Sequence, residues 1–371
     1  MEQSPDLLEA ARVLEGLERD RERQRQLDLE APRQLGFRFT GSASEYFRIW
    51  IVNTLLTVVT LGVYSAWAKI RNKQYFYGNT WLDGSNFEYL AKPLPILKGR
   101  LIAAAAFGLL FGSQHYNRTL YFVLIGLYVL ATPWVLVKAL AFNARNSAYR
   151  NLRFAFVGRT GEAFGVYLSM IAVYLATCGL AYPYAQWRLS GFAVKRHLYG
   201  DQPFRWVARS KDYVRAFLLF VAMILPIYIP MILFAVLAAK AGPGAPRGSA
   251  PLLTGVTLAI FYLYLLVPTA FLRTRYANLL YSGIRIGPHA LSSNQRWGEV
   301  LKLYVGNALG IVVSLGLLIP WAKIRMAKYR AEHLTLNAVG PLHAEALFNE
   351  GGSAVGEGLS DLGDFDLGIG T

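Results

Sequence analysis

The sequence predicts an all-α polytopic membrane protein with three internal repeats, in which short β-strands form a small membrane-surface cap. Two observations lead to this fold class. The chain is 54% hydrophobic and only 16% charged, and its apolar runs are long enough to cross a bilayer. In addition, one pattern of strand, turn, helix, glycine and basic aromatic helix occurs three times, which is typical of a domain built by triplication.

The three copies align at constant shifts. A shift of 117 positions pairs Glu45 with Glu162 without a gap, and a shift of 254 pairs Glu45 with Glu299. The leading strand of the third copy, at 283–287, fits only if residues are inserted before the following helix. The predicted repeats cover about residues 35–91, 150–208 and 283–338.

The distribution of basic residues predicts the membrane topology. Seven apolar segments lie near residues 48–68, 97–113, 119–142, 164–186, 215–239, 251–272 and 300–322. The connections at 114–118 and 240–250 are short and carry few Lys or Arg, so the positive-inside bias assigns them to the external side. Spanning hairpins then occupy about 97–142 and 215–272. The other three segments enter and leave on the cytoplasmic side and turn near Gly62, Gly179 and Gly316; seven plain spans are the alternative.

The two ends of the chain differ from this membrane domain, which is expected over 35–338. Residues 1–34 read as a charged helical extension without a cleavable signal sequence, and 339–371 as a disordered acidic tail. Either end is a possible contact for protein partners.

The basic aromatic stretches form a predicted collar at the membrane surface. Its members are Trp67, Lys69, Arg71, Arg188, Trp321, Lys323 and Arg325. Aromatic rings and cations at a bilayer boundary are ordinary interfacial anchors. The alternative is a binding site for anionic phospholipid head groups or for an anionic solute, and the sequence leaves both interpretations open.

Two further sets of polar residues recur in the repeats. Glu45, Glu162 and Glu299 stand at helix starts, where a carboxylate caps the helix, and Ser42 completes a capping box with Glu45. Pairing with a cation of another copy, or proton relay, is the alternative. Asn53 and Asn307 lie in apolar runs, where an amide usually bonds a neighbouring helix or else lines a polar path.

Several kinds of chemistry have no support in the sequence. The single cysteine, Cys178, allows no disulfide within the chain, and no two of the five histidines have the spacing of a helical metal site. No nucleophile or carboxylate pair indicates an enzyme, so we expect no catalytic residue, metal or cofactor. The net charge of +15 is concentrated at the ends of apolar runs, which favours anionic lipid over nucleic acid as the partner.

A longer string of residues carries a family resemblance. It comprises 37–41, 45–47, 60–71, 75–80 and 82–84, with Thr60 through Arg71 as its most specific part. Through this string the chain resembles the YjgN-like family of bacterial inner-membrane proteins over about residues 35–338. The resemblance implies a bacterial cytoplasmic-membrane location and several spans. Because the family is a domain of unknown function, the resemblance implies no activity.

Two functions from different classes remain as predictions. The first is a lipid-associated envelope or scaffold protein, in which the collar holds anionic head groups. The second is a transporter or channel for a small solute, with an anion as the expected class and with broken helices presenting their ends to it.

Overall fold

The computed structural model describes residues 31–240, 250–340 and 342. Eleven strands lie within them: β1 (Arg33–Gly36), β2 (Arg38–Phe39), β3 (Thr80–Leu82), β4 (Ser85–Tyr89), β5 (Ser147–Tyr149), β6 (Leu152–Phe156), β7 (His197–Tyr199), β8 (Gln202–Trp206), β9 (Ile284–Ile286), β10 (His289–Ser293) and β11 (Leu334–Ala338). The same residues form ten helices: α1 (Ala43–Val59), α2 (Ser65–Gly78), α3 (Pro93–Tyr116), α4 (Arg118–Asn146), α5 (Thr160–Ala176), α6 (Tyr182–Lys195), α7 (Ser210–Lys240), α8 (Ala250–Ser282), α9 (Trp297–Val313) and α10 (Ile319–Glu332). The predicted N-terminal helix and almost all of the predicted acidic tail fall outside this part of the chain.

All eleven strands belong to one antiparallel sheet that closes nearly into a barrel. Its strand order is β1-β11-β10-β9-β8-β7-β6-β5-β4-β3-β2. The two edge strands are separated in the chain by Phe37 alone, and the Phe37 backbone N–H donates to the Leu334 carbonyl at 3.1 Å. One continuous segment therefore pairs with β11 through its first half and with β3 through its second half. This closure leaves the sheet without a long exposed edge.

Connections between neighbouring strands alternate between the two rims of the barrel. At one rim, which we call the turn rim, tight turns join β3 to β4, β5 to β6, β7 to β8 and β9 to β10. Asp83 and Gly84 at the first turn, and Arg150 and Asn151 at the second, have positive φ, as short hairpins require. At the opposite rim, the helix rim, each connection is a pair of helices. All five helix pairs consequently leave from and return to the same rim.

The helices form a closed ring above the helix rim. Each helix packs against its neighbours in the chain, and α10 packs against α1 to complete the ring. The helices α3 and α4 and the Ser210–Ile229 part of α7 are long and apolar enough to span a membrane. The predicted all-α membrane fold is therefore confirmed only in part. The expected cap is wrong in size, because every helix pair contributes two strands to the sheet and the described strands together form a nearly closed barrel below the helices.

The three predicted turning points are present and share one geometry. Leu61, Cys178 and Leu315 each have φ +49°, and the glycines that follow have φ between +87° and +93°. At each turn the glycine N–H donates to a carbonyl five residues earlier, at 2.7 to 2.9 Å, which is the bond that ends a helix in a Schellman motif. Segments one, four and seven are therefore each two helices, with both ends at the helix rim.

The third of these helix pairs is preceded by a different strand from the one expected. The strand that leads directly into α9 is β10, whereas the predicted leading strand at 283–287 corresponds to β9, which pairs with β8 and β10. With β10 in that place, the shift of 254 positions needs no insertion, because it carries Phe39 of β2 onto Ser293 of β10. Sequence alternation alone did not separate these two adjacent short strands.

A substitution at one of these turns tests the assigned backbone conformation with little influence from side-chain packing. A Cβ added to Gly62 would meet nothing within 4 Å, so Gly62→Ala changes only the cost of the left-handed conformation at φ +91°. We expect it to lower the free energy of unfolding by about 1–2 kcal/mol. Gly165→Ala, in open space inside α5, is the matched control and should raise that free energy by about 0.5–1 kcal/mol. Thermal unfolding in detergent checks both; a Gly62→Ala protein as stable as Gly165→Ala contradicts the assigned turn.

Candidate functional site

The interior of the barrel contains a cavity of about 320 Å³, which we call the barrel cavity. Because alternate residues of a strand face one side of a sheet, every second residue contributes to its wall. These inward side chains are mostly large and apolar, and they include Phe37, Phe87, Phe154, Tyr199, Phe204 and Leu336. Leu342, beyond the last strand, packs against the same cluster. The volume and lining are those of a small-molecule site rather than of a filled core.

Two tyrosines in the wall have their hydroxyl groups satisfied by the barrel itself. The Tyr149 hydroxyl donates to the Leu82 carbonyl at 2.7 Å, and the Tyr199 hydroxyl donates to the Tyr149 carbonyl at 3.1 Å. Burial raises the pKa of Tyr199 to about 12, so this hydroxyl stays protonated. The rings therefore present carbon surface to the cavity, and their polar atoms tie neighbouring strands together.

Polar groups collect where the barrel cavity meets the helix rim, a region that we call the barrel mouth: Lys73, Asn143, His197 and Arg330. The Lys73 side chain comes from α2 and is only 8% exposed. Its Nζ donates to Asn143 Oδ1 at 2.7 Å and lies 4.9 Å from the centre of the Tyr89 ring. Both contacts stabilise an ammonium group in a buried position.

The two histidines of the cavity wall are neutral at pH 7. Burial lowers the pKa of His197 and also that of His289. His197 Nδ1 donates to the Ala193 carbonyl at 2.7 Å, and His289 Nδ1 accepts from the Val339 N–H at 3.2 Å. Among the described residues that line the cavity, the charged side chains are then Lys73 and Arg330, and no carboxylate is present.

A second cavity of about 450 Å³, which we call the ring cavity, lies among helices α4 and α6–α10. Its wall is more polar than that of the barrel cavity and includes Gln186, Thr274 and Tyr304. The two cavities adjoin at the barrel mouth, since five residues line both: Leu140, Ala193, Leu280, Tyr281 and Arg330. The barrel interior is thus next to the space enclosed by the helices.

The collar residues have local contacts and line neither of these two cavities. Arg325 donates to Asn307 Oδ1 at 3.2 Å and lies 4.4 Å from the centre of the Trp321 ring. Arg188 donates to the Tyr184 hydroxyl at 3.0 Å. Trp67 packs on the cluster around Ile70, whereas Arg71 and Lys323 are exposed and Lys69 is partly buried. Convergence of the collar into one lipid or anion site stays a prediction.

The recurrent glutamates connect the two helices of their own pairs. Glu45 N–H donates to the Ser42 hydroxyl at 3.3 Å, one half of the predicted capping box, and the Glu45 carboxylate accepts from the Tyr75 hydroxyl. Glu162 forms an ion pair with Arg196 at 2.8 Å. Glu299 lies 3.4 Å from His333 and 3.5 Å from Arg296. In every pair the carboxylate at the start of the first helix contacts a residue at or near the end of the second.

The two buried asparagines likewise bridge neighbouring helices. Asn53 Nδ2 donates to Asn72 Oδ1 at 3.3 Å, from α1 to α2, and Asn307 Nδ2 donates to the Ala322 carbonyl at 3.3 Å, from α9 to α10. Neither lines the barrel cavity or the ring cavity. These contacts are the ordinary use of an amide within an apolar run.

Sequence reasoning missed the barrel mouth. Lys73 belongs to the same basic helix as the collar, two residues beyond Arg71, and nothing in that run distinguishes an inward cation from an outward one. Arg330 and Asn143 also lie at helix ends that are rich in polar residues. The available signal was the alternation of aromatic residues in the strands, which identifies a barrel interior only when the strands are known to close.

Comparisons with known proteins agree with the membrane assignment. The inner membrane protein YjgN of Salmonella typhimurium is 25% identical to this chain over 84% of its length and 90% of that protein. The protein of the same name from Escherichia coli K12 is 45% identical over 53 residues, which are 14% of this chain and 13% of the relative. No solved structure matches. The sequence model of the family described as bacterial protein of unknown function (DUF898) matches residues 34–362, so the chain belongs to this family and, by homology to YjgN, is an inner-membrane protein.

Proposed function

We propose that this protein is a lipid-associated envelope or scaffold protein, and that its barrel binds one single-chain lipid. The observation that carries the proposal is the apolar barrel cavity of about 320 Å³ directly below a ring of membrane helices. Apolar walls with a few polar groups at one end match an amphiphile, whose hydrocarbon chain gains about 0.8 kcal/mol for each buried CH₂ group.

The cavity volume favours one chain over two. At about 320 Å³ the barrel cavity lies at the small end of the range of about 300–1,000 Å³ that is usual for pockets that hold one small molecule. One hydrocarbon chain of medium length suits a pocket of this size better than the two long chains of a membrane phospholipid. The ring cavity adjoins the barrel mouth and provides the side from which a lipid reaches the barrel.

The proposed triplication has support from backbone hydrogen bonds at equivalent positions. Thr40 N–H donates to the Asn79 carbonyl at 2.9 Å in the first helix pair. At the shift of 117, Val157 N–H donates to the Arg196 carbonyl at 2.8 Å, and at the shift of 254, Asn294 N–H donates to the His333 carbonyl at 3.1 Å. Each bond joins the segment before a helix pair to the segment after it. Three copies of one unit, separated by two longer helical hairpins, account for this correspondence.

A transporter or channel for a small anionic solute is the second candidate. The polar wall of the ring cavity favours it, since Gln186, Thr274 and Gln295 are able to replace water around a polar solute. The barrel below argues against it as the first choice, because an apolar interior adds a barrier for a hydrated anion.

Filling the barrel tests the lipid proposal. In a bulky steroid detergent that does not enter the cavity, wild type should bind about one radiolabelled dodecanoate per chain, and Leu336→Trp should weaken this binding by about tenfold or more because the indole occupies the chain's volume. The matched control is Thr335→Trp, one residue away on the outer face of β11, which should bind as wild type does. Ile286→Phe, at another inward position, replaces Leu336→Trp if that variant does not fold.

Two outcomes decide this test. Loss of dodecanoate binding in the inward variant alone supports the barrel site. Absence of binding to wild type, or equal binding by Leu336→Trp and Thr335→Trp, overturns the proposal.

A further inference from the structure

At the turn rim, away from the helices, the barrel cavity is bounded by a residue that does not belong to the sheet. The last residues before the four tight turns, Leu82, Tyr149, Tyr199 and Ile286, all line the cavity at this end. Leu342 lines the same cavity and packs against the buried cluster to which Leu82, Tyr149 and Tyr199 belong. We call these five residues the cavity floor.

The cavity floor lies where the end of a bound hydrocarbon chain would be. Resting on the proposed function, we infer that this floor sets the length of the chain that the barrel takes, with Leu342 as the residue that determines the limit. The head group stays at the barrel mouth, and the terminal methyl group of the chain reaches Leu342. The ligand class is thus a single-chain amphiphile of medium length, and longer chains are excluded by contact with the floor.

The wall of the barrel does not limit the chain by itself. The inward side chains of about eight strands are enough to fill a barrel of that size, whereas larger barrels enclose a cavity. The eleven strands here place the barrel in the larger class, in agreement with its cavity of about 320 Å³. Leu342 follows the last strand, β11, and is therefore outside the hydrogen-bonded ladder of the sheet. A change of its side chain alters the depth of the cavity and leaves the wall intact.

The backbone after β11 directs Leu342 back toward the barrel. β11 ends at Ala338 on the turn rim, and the next N–H, that of Val339, donates to His289 Nδ1 at 3.2 Å. His289 is the first residue of β10, directly after the turn from β9. Gly340 is buried and has φ +74°, a left-handed conformation that is typical of a turn. The chain therefore turns beside β10 and brings Leu342 to the cavity.

The tyrosines of the floor are tied to the strands. The bonds from the Tyr149 hydroxyl to the Leu82 carbonyl and from the Tyr199 hydroxyl to the Tyr149 carbonyl each join different strands. The two tyrosine rings also contact each other, with centres 6.1 Å apart. A longer chain that displaced these rings would leave buried hydroxyl and carbonyl groups without partners, which costs free energy. The Leu342 side chain makes only apolar contacts, so its size is the adjustable part of the floor.

The lining also determines which end of the ligand meets the floor. Asn143 and His197 belong to the barrel mouth, whereas the floor presents carbon surface. A polar head group at the floor would lose its hydration without gaining hydrogen bonds, which is unfavourable. The ring cavity adjoins the barrel mouth as well, so the methyl end of a lipid enters the barrel first.

The experiment measures affinity as a function of chain length. Decanoate, dodecanoate, tetradecanoate, hexadecanoate and octadecanoate are titrated into the full-length protein in the steroid detergent. Dialysis against detergent without protein gives the free aqueous concentration of each acid. For wild type, the affinity should rise by about fourfold for each added CH₂ group up to a limiting length. Beyond this length, further CH₂ groups should give no gain or a loss, because they no longer fit above the floor.

Two substitutions at Leu342 should move this limit in opposite directions. Leu342→Ala removes volume from the floor, so the limiting acid should be one step longer in the series. Leu342→Phe adds volume and should make it one step shorter; this variant also tests the inference if Leu342→Ala does not fold. Val339→Ala is the matched control, because Val339 lies in the same segment, is exposed and does not line the barrel cavity. Its limit should be that of wild type.

The outcomes separate this inference from the proposed function. Opposite shifts in the two Leu342 variants, with no shift in Val339→Ala, support the floor. If the affinity of wild type rises steadily through octadecanoate, or if the limit is the same in all variants, the barrel binds a chain but Leu342 does not measure it. An equal loss of affinity for every acid in Leu342→Ala gives Leu342 a structural role and likewise overturns the inference. If wild type binds none of the acids, the lipid function itself fails.

Discussion

Replacing Tyr46 with alanine should lower the free energy of unfolding by about 3–5 kcal/mol, the cost of deleting a large aromatic side chain from a core. Tyr46 is fully buried on α1, with its ring 4.9 Å from that of Phe76 and 5.3 Å from that of Tyr75. The same cluster contains Ile324 and Ala331 of α10. Tyr46 thus fills the seam where the last helix meets the first, and its removal opens both the ring and the adjacent barrel closure.

The tyrosine hydroxyl separates packing from hydrogen bonding at this seam. Among the described residues the Tyr46 hydroxyl has no hydrogen-bond partner, so Tyr46→Phe removes an unsatisfied group and keeps the ring. We expect Tyr46→Phe to be neutral or stabilising by up to about 1 kcal/mol. Tyr116→Ala, at a side chain that is 92% exposed, serves as the surface control. Thermal unfolding in detergent is the measurement, and a Tyr46→Ala protein no less stable than Tyr116→Ala would show that α1 and α10 do not meet in this way.

Local signals in the sequence predicted the parts of the fold that depend on neighbouring residues. The Asp-Gly pair at 83–84 is a hairpin signal visible in the sequence and occupies the turn between β3 and β4, and the glycines at 62, 179 and 316 predicted the turns between paired helices. In both cases a positive φ is required at that residue, and its chemistry is visible in the sequence.

Closure of the barrel could not be predicted from such local signals. It depends on the pairing of Leu35 with Leu336, two residues that lie almost at opposite ends of the membrane domain. The strands are two to five residues long, too short for alternation to specify register or partner. Each strand alone suggested only part of a small sheet. The barrel cavity and its mouth could not be predicted for the same reason, because Lys73 can be recognised as an inward-facing residue only when the strands are known to enclose an interior.

The collar was visible in the sequence, and its convergence into one site stays a prediction. Its repeated Trp and Arg residues are the most visible pattern in the sequence, and the observed contacts of Arg188 and Arg325 are with residues of their own helix or its partner. The barrel-mouth cations do not recur, because the positions equivalent to Lys73 at the shifts of 117 and 254 are Ser190 and Ala327.

Cysteine labelling of spheroplasts should give an all-or-none result for the topology. In a Cys178→Ser background, Tyr116→Cys at the far end of the α3–α4 hairpin should react fully with a membrane-impermeant maleimide. Arg38→Cys and Trp81→Cys should react only after permeabilisation. Arg38 precedes α1, Trp81 follows α2, and the two are paired directly across β2 and β3. Whatever the orientation of the barrel, these two positions must therefore behave alike.

The expected side follows from charge. On the strands, the residues Arg38, Arg153 and Arg205 alternate with inward aromatic side chains and are exposed on the outside of the barrel. The positive-inside bias assigns such a surface to the cytoplasm. Labelling of Trp81→Cys with protection of Arg38→Cys would mean that α1 and α2 cross the membrane, which is incompatible with the barrel. Labelling of both, with protection of Tyr116→Cys, would keep the fold and invert it. The lipid that we propose for the barrel would then be held on the periplasmic side, and the helix ring would deliver it outward instead of toward the cytoplasm.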